Sequence, residues 1–370
     1  MPSTRSVRTT VQDTLPITKT ALSRLKMRFL VGTYAYPPVP GIYLVNLDEH
    51  RSTARIATSC AELPCPSFLS RPATGNFFFA VSEIGQAPGS VATLHLAPEG
   101  INLGKSIPSF GTSPCHINYI ANHELVVVCN YDEGNVVCYR VNQADGSLSP
   151  RQTITHFGAG LHPIRQKSPH PHSSLYDAQH EILLVADLGC DFIYQYTFHE
   201  DFLRLSARTP VTPGSGPRHM VSHPNGCIYL ACELTNTVCT LKFQQDRYCV
   251  VQSITTLPST YNGQSSVADI HLAPDGRSVY VSNRGHDSIT QLKIAADGHL
   301  GFVDSYPTHG RTPRNFAIAP DGKSLLVANQ DSNNVSLFSI ASDSGSLEYQ
   351  ATVLEAEKPA FVMFQAETPN

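Results

Sequence analysis

The chain has 370 residues, of which 41% are hydrophobic and 15% charged, and its formal net charge is -4. That is enough apolar material for a large core and excludes wholesale disorder, while the mild acidity argues against a nucleic-acid groove. No apolar run approaches the ~18 residues that a membrane helix needs, so neither nucleic acid nor membrane is expected as a partner.

Residues 1–27 read as a disordered or leader extension. Arg5, Arg8, Lys19, Arg24 and Lys26 stand there against a single Asp13, and no apolar stretch of the secretory kind is present. From residue 28 onward a repeat sets in. Residues 31–47, 81–96, 128–141, 185–198, 230–243, 281–294 and 327–340 each hold an apolar strand, a polar turn and an alternating strand. That is a hairpin signature, and its recurrence at roughly 50 residues is the period of a propeller blade.

A second element precedes six of these hairpins: Pro66-Ser67-Phe68, Pro114-Cys115-His116, residues 169–172, Pro217-Arg218-His219, residues 268–271 and Pro313-Arg314-Asn315. It reads as the innermost strand of each blade. The seventh copy lies at the far end of the chain, at residues 359–364, and should complete the blade begun by residues 29–47. The predicted fold is all-β: a seven-bladed β-propeller of four antiparallel strands per blade, one domain over residues 28–366. Pairing of the C-terminal strand with the N-terminal blade closes the ring and hides the open sheet edges. None of the ten cysteines forms a Cys-x-x-Cys pair, and several lie in apolar strands, as expected of reduced structural thiols in a cytoplasmic protein.

In such a blade the start of the inner strand and the end of the second strand share one face. This gathers His116, His170, His172, Arg218, His219, Asp269, His271, Arg314 and Asn315 with Tyr34, Glu83, Tyr131, Asp187, Glu233, Arg284 and Gln330 at one mouth of the central channel. Arginine forks recognise carboxylate and phosphate, and a neighbouring Glu or His can act as general base, so the mouth suits a small anionic ligand. Asn130, Asn283 and Asn329 recur at equivalent positions and read as turn caps or ties between neighbouring blades. His170 and His172 share one face of a strand, but two ligands do not make a metal site, and no metal or cofactor is expected.

The segments RQKSPHPHS (165–173), ADLGCD (186–191), GSGPRH (214–219), ADIH (268–271), SNRGHDS (282–288), PRNF (313–316) and VANQDS (327–332) resemble the signature of the seven-bladed lactonase family over residues 28–365. That family includes propeller-type 6-phosphogluconolactonases and carboxy-cis,cis-muconate cyclases. The resemblance implies a metal-independent carboxylic-ester hydrolase, with His172, Arg218, Glu233 and Arg284 as the catalytic set and Glu233 or His172 as the base. His116, Arg165, His170, His219, Asp269, His271 and Arg314 are the expected substrate-binding residues. The implied reaction is hydrolysis of 6-phospho-D-glucono-1,5-lactone in the pentose phosphate pathway of the cytoplasm, by a monomer or weak homo-oligomer. Two alternatives stay open: a lactonase or lactonizing cyclase for a non-phosphorylated sugar-acid or carboxymuconate-type lactone, and a non-catalytic propeller serving as an interaction platform.

Overall fold

Every repeat folds into a four-stranded antiparallel sheet, and seven such sheets are formed. The computed structural model describes residues 27–48, 52–73, 75–200 and 202–365; apart from Met27, the extension expected over residues 1–27 lies outside them. Blade 1 holds β1 (Met27–Thr33), β2 (Ile42–Asp48) and β3 (Thr53–Cys60), and its inner edge is the last strand, β28 (Pro359–Phe364). Blade 2 is β4 (Leu69–Ser70), β5 (Phe77–Ser82), β6 (Pro88–Ala97) and β7 (Gly100–Thr112). Blade 3 is β8 (Pro114–Ile120), β9 (Leu125–Asn130), β10 (Asn135–Val141) and β11 (Leu148–Thr155). Blade 4 is β12 (Pro171–Asp177), β13 (Ile182–Asp187), β14 (Phe192–His199) and β15 (Phe202–Pro210).

Blade 5 is β16 (Pro217–Ser222), β17 (Ile228–Cys232), β18 (Thr237–Gln244) and β19 (Arg247–Thr255). Blade 6 is β20 (Ser266–Leu272), β21 (Ser278–Arg284), β22 (Ser288–Ile294) and β23 (Leu300–Pro307). Blade 7 is β24 (Pro313–Ile318), β25 (Ser324–Asn329), β26 (Asn334–Ile340) and β27 (Leu347–Glu355). The closure expected at the termini is present: β28 pairs antiparallel with β1, matching Val31 with Val362. No helix among the described residues is long and apolar enough to cross a membrane.

The core lies between the blades. Its apolar clusters follow the ring, each joining two neighbouring sheets: Phe29 and Val31 of blade 1 meet Leu326 and Val335 of blade 7, and Val185 of blade 4 meets Val127 and Val136 of blade 3. A second strand is covered on both faces, so β5, β9, β13 and β25 are buried at every residue. Their continuous apolar runs follow from this. Outer strands such as β11 and β15 alternate with solvent instead.

One irregularity recurs and decides what the channel presents. The inner strands of six blades carry a β-bulge near their start: Pro114 pairs with Asn130 and His116 with Cys129, leaving Cys115 extra. The same shift leaves His172 extra in blade 4 and Arg314 in blade 7, and falls between Pro217 and Met220 in blade 5. Blades 6 and 1 repeat it between Val267 and Ile270 and opposite Ala360. A bulge re-aims a side chain at a strand end. Here it sets one tier of residues (Cys115, His172, Arg218, Arg314) at the upper mouth and the following tier (His116, His219, Asp269, Asn315) deeper in the channel.

Candidate active site

Glu233 follows the end of β17, and its carboxylate is 2% exposed at the residue level. Three arginines converge on it. Arg165 donates from Nη2 to Oε1 at 2.7 Å, Arg218 from Nε to Oε2 at 2.9 Å, and Arg284 Nη2 lies 3.0 Å from Oε2. Burial raises the pKa of this carboxyl. The guanidiniums of Arg284, Arg218 and Arg165 outweigh burial and hold it far below the usual carboxylate range. Glu233 is therefore a permanent anion whose two oxygens are both taken.

The arginines are held from behind as well. Arg218 Nη1 donates to the Ala268 carbonyl and Arg284 Nη2 to the Val267 carbonyl at 3.1 Å. Burial, and then repulsion from Arg284, lower the pKa of Arg218 to about 10, which leaves it cationic at neutral pH. Arg165 comes from the long loop between β11 and β12 and also donates to the Tyr131 hydroxyl at 3.0 Å. The loop is fixed next to it: Gln166 donates to the Leu188 carbonyl and to Asp191 Oδ1, both at 2.8 Å, and accepts from the His162 amide. Gly189 permits this closeness, because a Cβ there would collide with the Ser168 carbonyl.

Two cationic groups remain open to a ligand. The Nε of Arg284 is buried and has no hydrogen-bond partner among the described residues. The Arg314 guanidinium lies 5.0 Å from the centre of the Tyr34 ring, and no carboxylate among the described residues pairs with it. Across the mouth from Glu233, Glu83 Oε2 accepts from the Tyr34 hydroxyl at 2.7 Å and from Ser67 Oγ at 2.5 Å. Four guanidiniums thus face two carboxylates, and the mouth carries an excess of positive charge.

His172 stands beside them. Its Nδ1 is 3.8 Å from Cys115 Sγ, and its ring packs edge-on against Tyr131 and His219. Burial, and then the charges of Arg218, His219 and Arg314, push its pKa well below the ordinary histidine value. It is a neutral imidazole whose Nε2 has no hydrogen-bond partner among the described residues. In chemical terms the site offers an anion receptor, fixed donors for a developing oxyanion, and one neutral proton acceptor.

The residues expected at one mouth separate into groups. His172, Arg218, Glu233, Arg284, Arg165 and Arg314 come together as described. His170 flanks them: its ring stacks on Tyr131 at 4.2 Å, and its Nδ1 meets the Tyr131 carbonyl oxygen at 2.7 Å. His116 and His219 sit one tier deeper, with Phe68 and Phe361, in a layer of rings across the channel. Asp269 joins His219 (Nδ1, 2.7 Å), His271 (Nε2, 2.8 Å) and Asn315 (Nδ2, 2.5 Å). These lower groups border a cavity of about 480 Å³ that opens at the other end of the channel. His271 is far along β20, which carries it away from the arginines.

The strand repeat puts Tyr34, Glu83 and Tyr131 at the mouth without marking them as site residues, and it marks Ser67 only as part of an inner strand. The available signal was position: Glu83 follows Ser82 in β5 as Glu233 follows Cys232 in β17. The asparagines tie the third strand of their own blade to the outer edge of the preceding blade. Asn130 Nδ2 donates to the Ser109 carbonyl at 2.9 Å, and Asn329 Nδ2 donates to Ser336 Oγ at 3.0 Å. Asp187 binds the amides of His170, Gly189 and Cys190 and lies 2.7 Å from His156 Nδ1.

A propeller with an arginine-rich mouth of this kind matches a described family along nearly its whole length. Residues 28–364 fit the family model for the seven-bladed β-propeller lactonases, and the chain belongs to that family. A Bacillus subtilis 6-phosphogluconolactonase is 32% identical over 294 residues, covering 77% of this chain and 83% of that protein. Among solved structures, a periplasmic gluconolactonase of Pseudomonas aeruginosa superimposes with a TM-score of 0.86 at 28% identity, over 92% of this chain and 99% of that one. A Lactobacillus plantarum protein does so with a TM-score of 0.85 at 28% identity, over 92% and 99%.

Proposed function

We propose that this protein hydrolyses 6-phospho-D-glucono-1,5-lactone to 6-phosphogluconate, a step of the oxidative pentose phosphate route in the cytoplasm. The observation that carries the proposal is the pairing of a net-cationic mouth, in which Arg314 has no carboxylate partner and Arg284 Nε no hydrogen-bond partner among the described residues, with the neutral imidazole of His172. Arg314 and the more exposed Arg165 hold the anionic group. Arg218 and Arg284, fixed by Glu233, face the lactone carbonyl and stabilise the oxyanion as water adds. His172 takes the proton of the attacking water and returns it to the ring oxygen as the carbon–oxygen bond breaks. Glu233 has no free oxygen for that task and serves to align the arginines. Similarity to the Bacillus 6-phosphogluconolactonase supports the phosphorylated substrate. Similarity to the Pseudomonas gluconolactonase supports a second reading, a sugar-acid lactone without phosphate.

The test is hydrolysis of fresh 6-phosphogluconolactone, coupled to 6-phosphogluconate dehydrogenase, with the spontaneous rate subtracted. Wild type should turn over well above background, and His172→Asn should lose about 10²–10⁴ in kcat. Equal rates for wild type and variant would remove His172 from the reaction. No acceleration of this lactone, with turnover of glucono-1,5-lactone, would favour the second reading. No turnover of either by a folded protein would favour the interaction platform.

A further inference from the structure

Glu83 and Glu233 occupy the same position in blades 2 and 5, yet their carboxylates are held in opposite ways. Glu233 is saturated by guanidiniums on both oxygens. Glu83 takes both of its hydrogen bonds on Oε2, from the hydroxyls of Tyr34 and Ser67. Its Oε1 accepts from no described residue, and no arginine or lysine among them pairs with it. Both donors are themselves placed by the ring. Ser67 opens the inner segment of blade 2, and the Tyr34 amide is fixed by the Lys358 carbonyl of the closing segment at 3.0 Å. Burial keeps the Tyr34 phenol protonated, so it remains a donor.

The outcome is an oriented carboxylate oxygen, on a half-buried side chain, that has no donor among the described residues and lies across the mouth from the arginine-bound Glu233. Such an oxygen pairs with a hydroxyl. It repels a second acid group, and it goes unmatched beside a bare methylene. Resting on the lactone-hydrolysis reading, we propose that Glu83 determines specificity: its Oε1 accepts a hydrogen bond from a ring hydroxyl of the substrate. The site then selects polyhydroxylated sugar-acid lactones carrying one anionic group, and discriminates against polycarboxylate lactones that lack hydroxyls.

The experiment compares kcat/KM for D-glucono-1,5-lactone, which is hydroxylated, and δ-valerolactone, the same ring without hydroxyls, in wild type and Glu83→Gln. Carboxymuconolactone, a dicarboxylated lactone without hydroxyls, is the third substrate. Wild type should prefer gluconolactone. In Glu83→Gln that preference should fall about 10- to 100-fold, through KM more than kcat, as expected for loss of a hydrogen bond to a charged acceptor. Turnover of carboxymuconolactone should rise in the same variant. An unchanged ratio in a folded Glu83→Gln overturns the proposal while leaving the lactonase reading standing. Wild type inactive on these lactones and on 6-phosphogluconolactone overturns both. Should Glu83→Gln fail to fold, the Ser67→Ala/Tyr34→Phe double variant frees the carboxylate to move; a partial loss of the preference supports the proposal, and an unaltered one overturns it.

Discussion

Glu233 binds three guanidiniums with one charge, and removing that charge should have two effects. Glu233→Gln keeps the shape and leaves Arg165, Arg218 and Arg284 facing one another. Breaking a buried ion pair on one side typically costs about 3–5 kcal/mol, so urea unfolding should shift to clearly lower midpoints. The arginines would also splay, and kcat/KM for an anionic lactone should fall by about 10² or more. A variant with wild-type stability and turnover would show that the arginines need no common anion. The buried histidines set a separate pH dependence. Burial first, and then the charge of Arg218, lower the pKa of His219 to about 4, and those of His116 and His172 are also pushed well below 6.5. As pH falls below 6.5 the unfolded chain takes up these protons and the folded protein does not. Stability is therefore full above pH 6.5 and declines toward pH 4, by about 1.4 kcal/mol per pH unit for each histidine in that window. His271, raised by Asp269, acts in the opposite direction. Urea titrations at pH 7.5, 6 and 5 should show the net loss; equal midpoints at pH 7.5 and 5 would contradict it. At this scale the sequence was informative about residue type but not about tier, since it put His116, His219, Asp269, His271 and Asn315 at the same mouth as the arginines. Arg218, Glu233 and Arg284 each bear a charge where most blades have none. What it withheld was pairing: no spacing shows that Glu233 has both oxygens occupied while Glu83 has one free.

The strand is the unit that the hairpin repeat made legible, and the bulge is the unit it concealed. A strand of simple period 2 would send successive residues of an inner strand alternately into the channel and into the neighbouring blade. The extra residue after each opening proline breaks that alternation, which is how Arg218 and His219, adjacent in sequence, come to serve two different tiers. Alternation alone gives no sign of such a shift, since a bulge is a property of two paired strands. The second-strand ends were easier to read. Recurrence of asparagine at 130, 283 and 329 signalled a blade tie, and each side chain does reach the adjacent third strand or the segment after an outer strand. Asn329→Ala should test this tie apart from chemistry. It removes donors to Ser336 Oγ and to the Thr308 carbonyl in a fully buried setting, at an expected cost of about 1–3 kcal/mol. Thermal melts should register that loss while kcat/KM stays within about twofold, because Asn329 touches none of the mouth arginines. A large loss of activity without loss of stability would instead place Asn329 in the site.

For the whole molecule the decisive contact is between the two ends of the described chain. Each blade has two apolar faces and can bury both only inside a closed ring. β28 supplies the missing inner edge of blade 1: Val362 joins the cluster shared with blade 7, and Phe361 joins the one shared with blade 2. It is also tied into blade 7 at one point, where the Val362 amide donates to Asn315 Oδ1 at 2.8 Å. The closing segment therefore anchors the ring and the site together, since Asn315 also holds Asp269, and the Lys358 carbonyl holds the Tyr34 amide. Deleting residues 358–370 should leave β1 with an open edge, expose two apolar clusters and release Tyr34 from Arg314 and Glu83. The expected result is a melting temperature lower by at least about 10 °C, or loss of a cooperative transition, with activity lost in either case. Val362→Asp offers a milder form of the same test: it keeps the backbone pairing and charges the blade 1–7 interface, so it should lower stability while gluconolactone turnover survives at temperatures below the new midpoint. If the truncated chain instead melts as wild type does, closure by β28 is not what holds the ring, and the inter-blade clusters alone suffice.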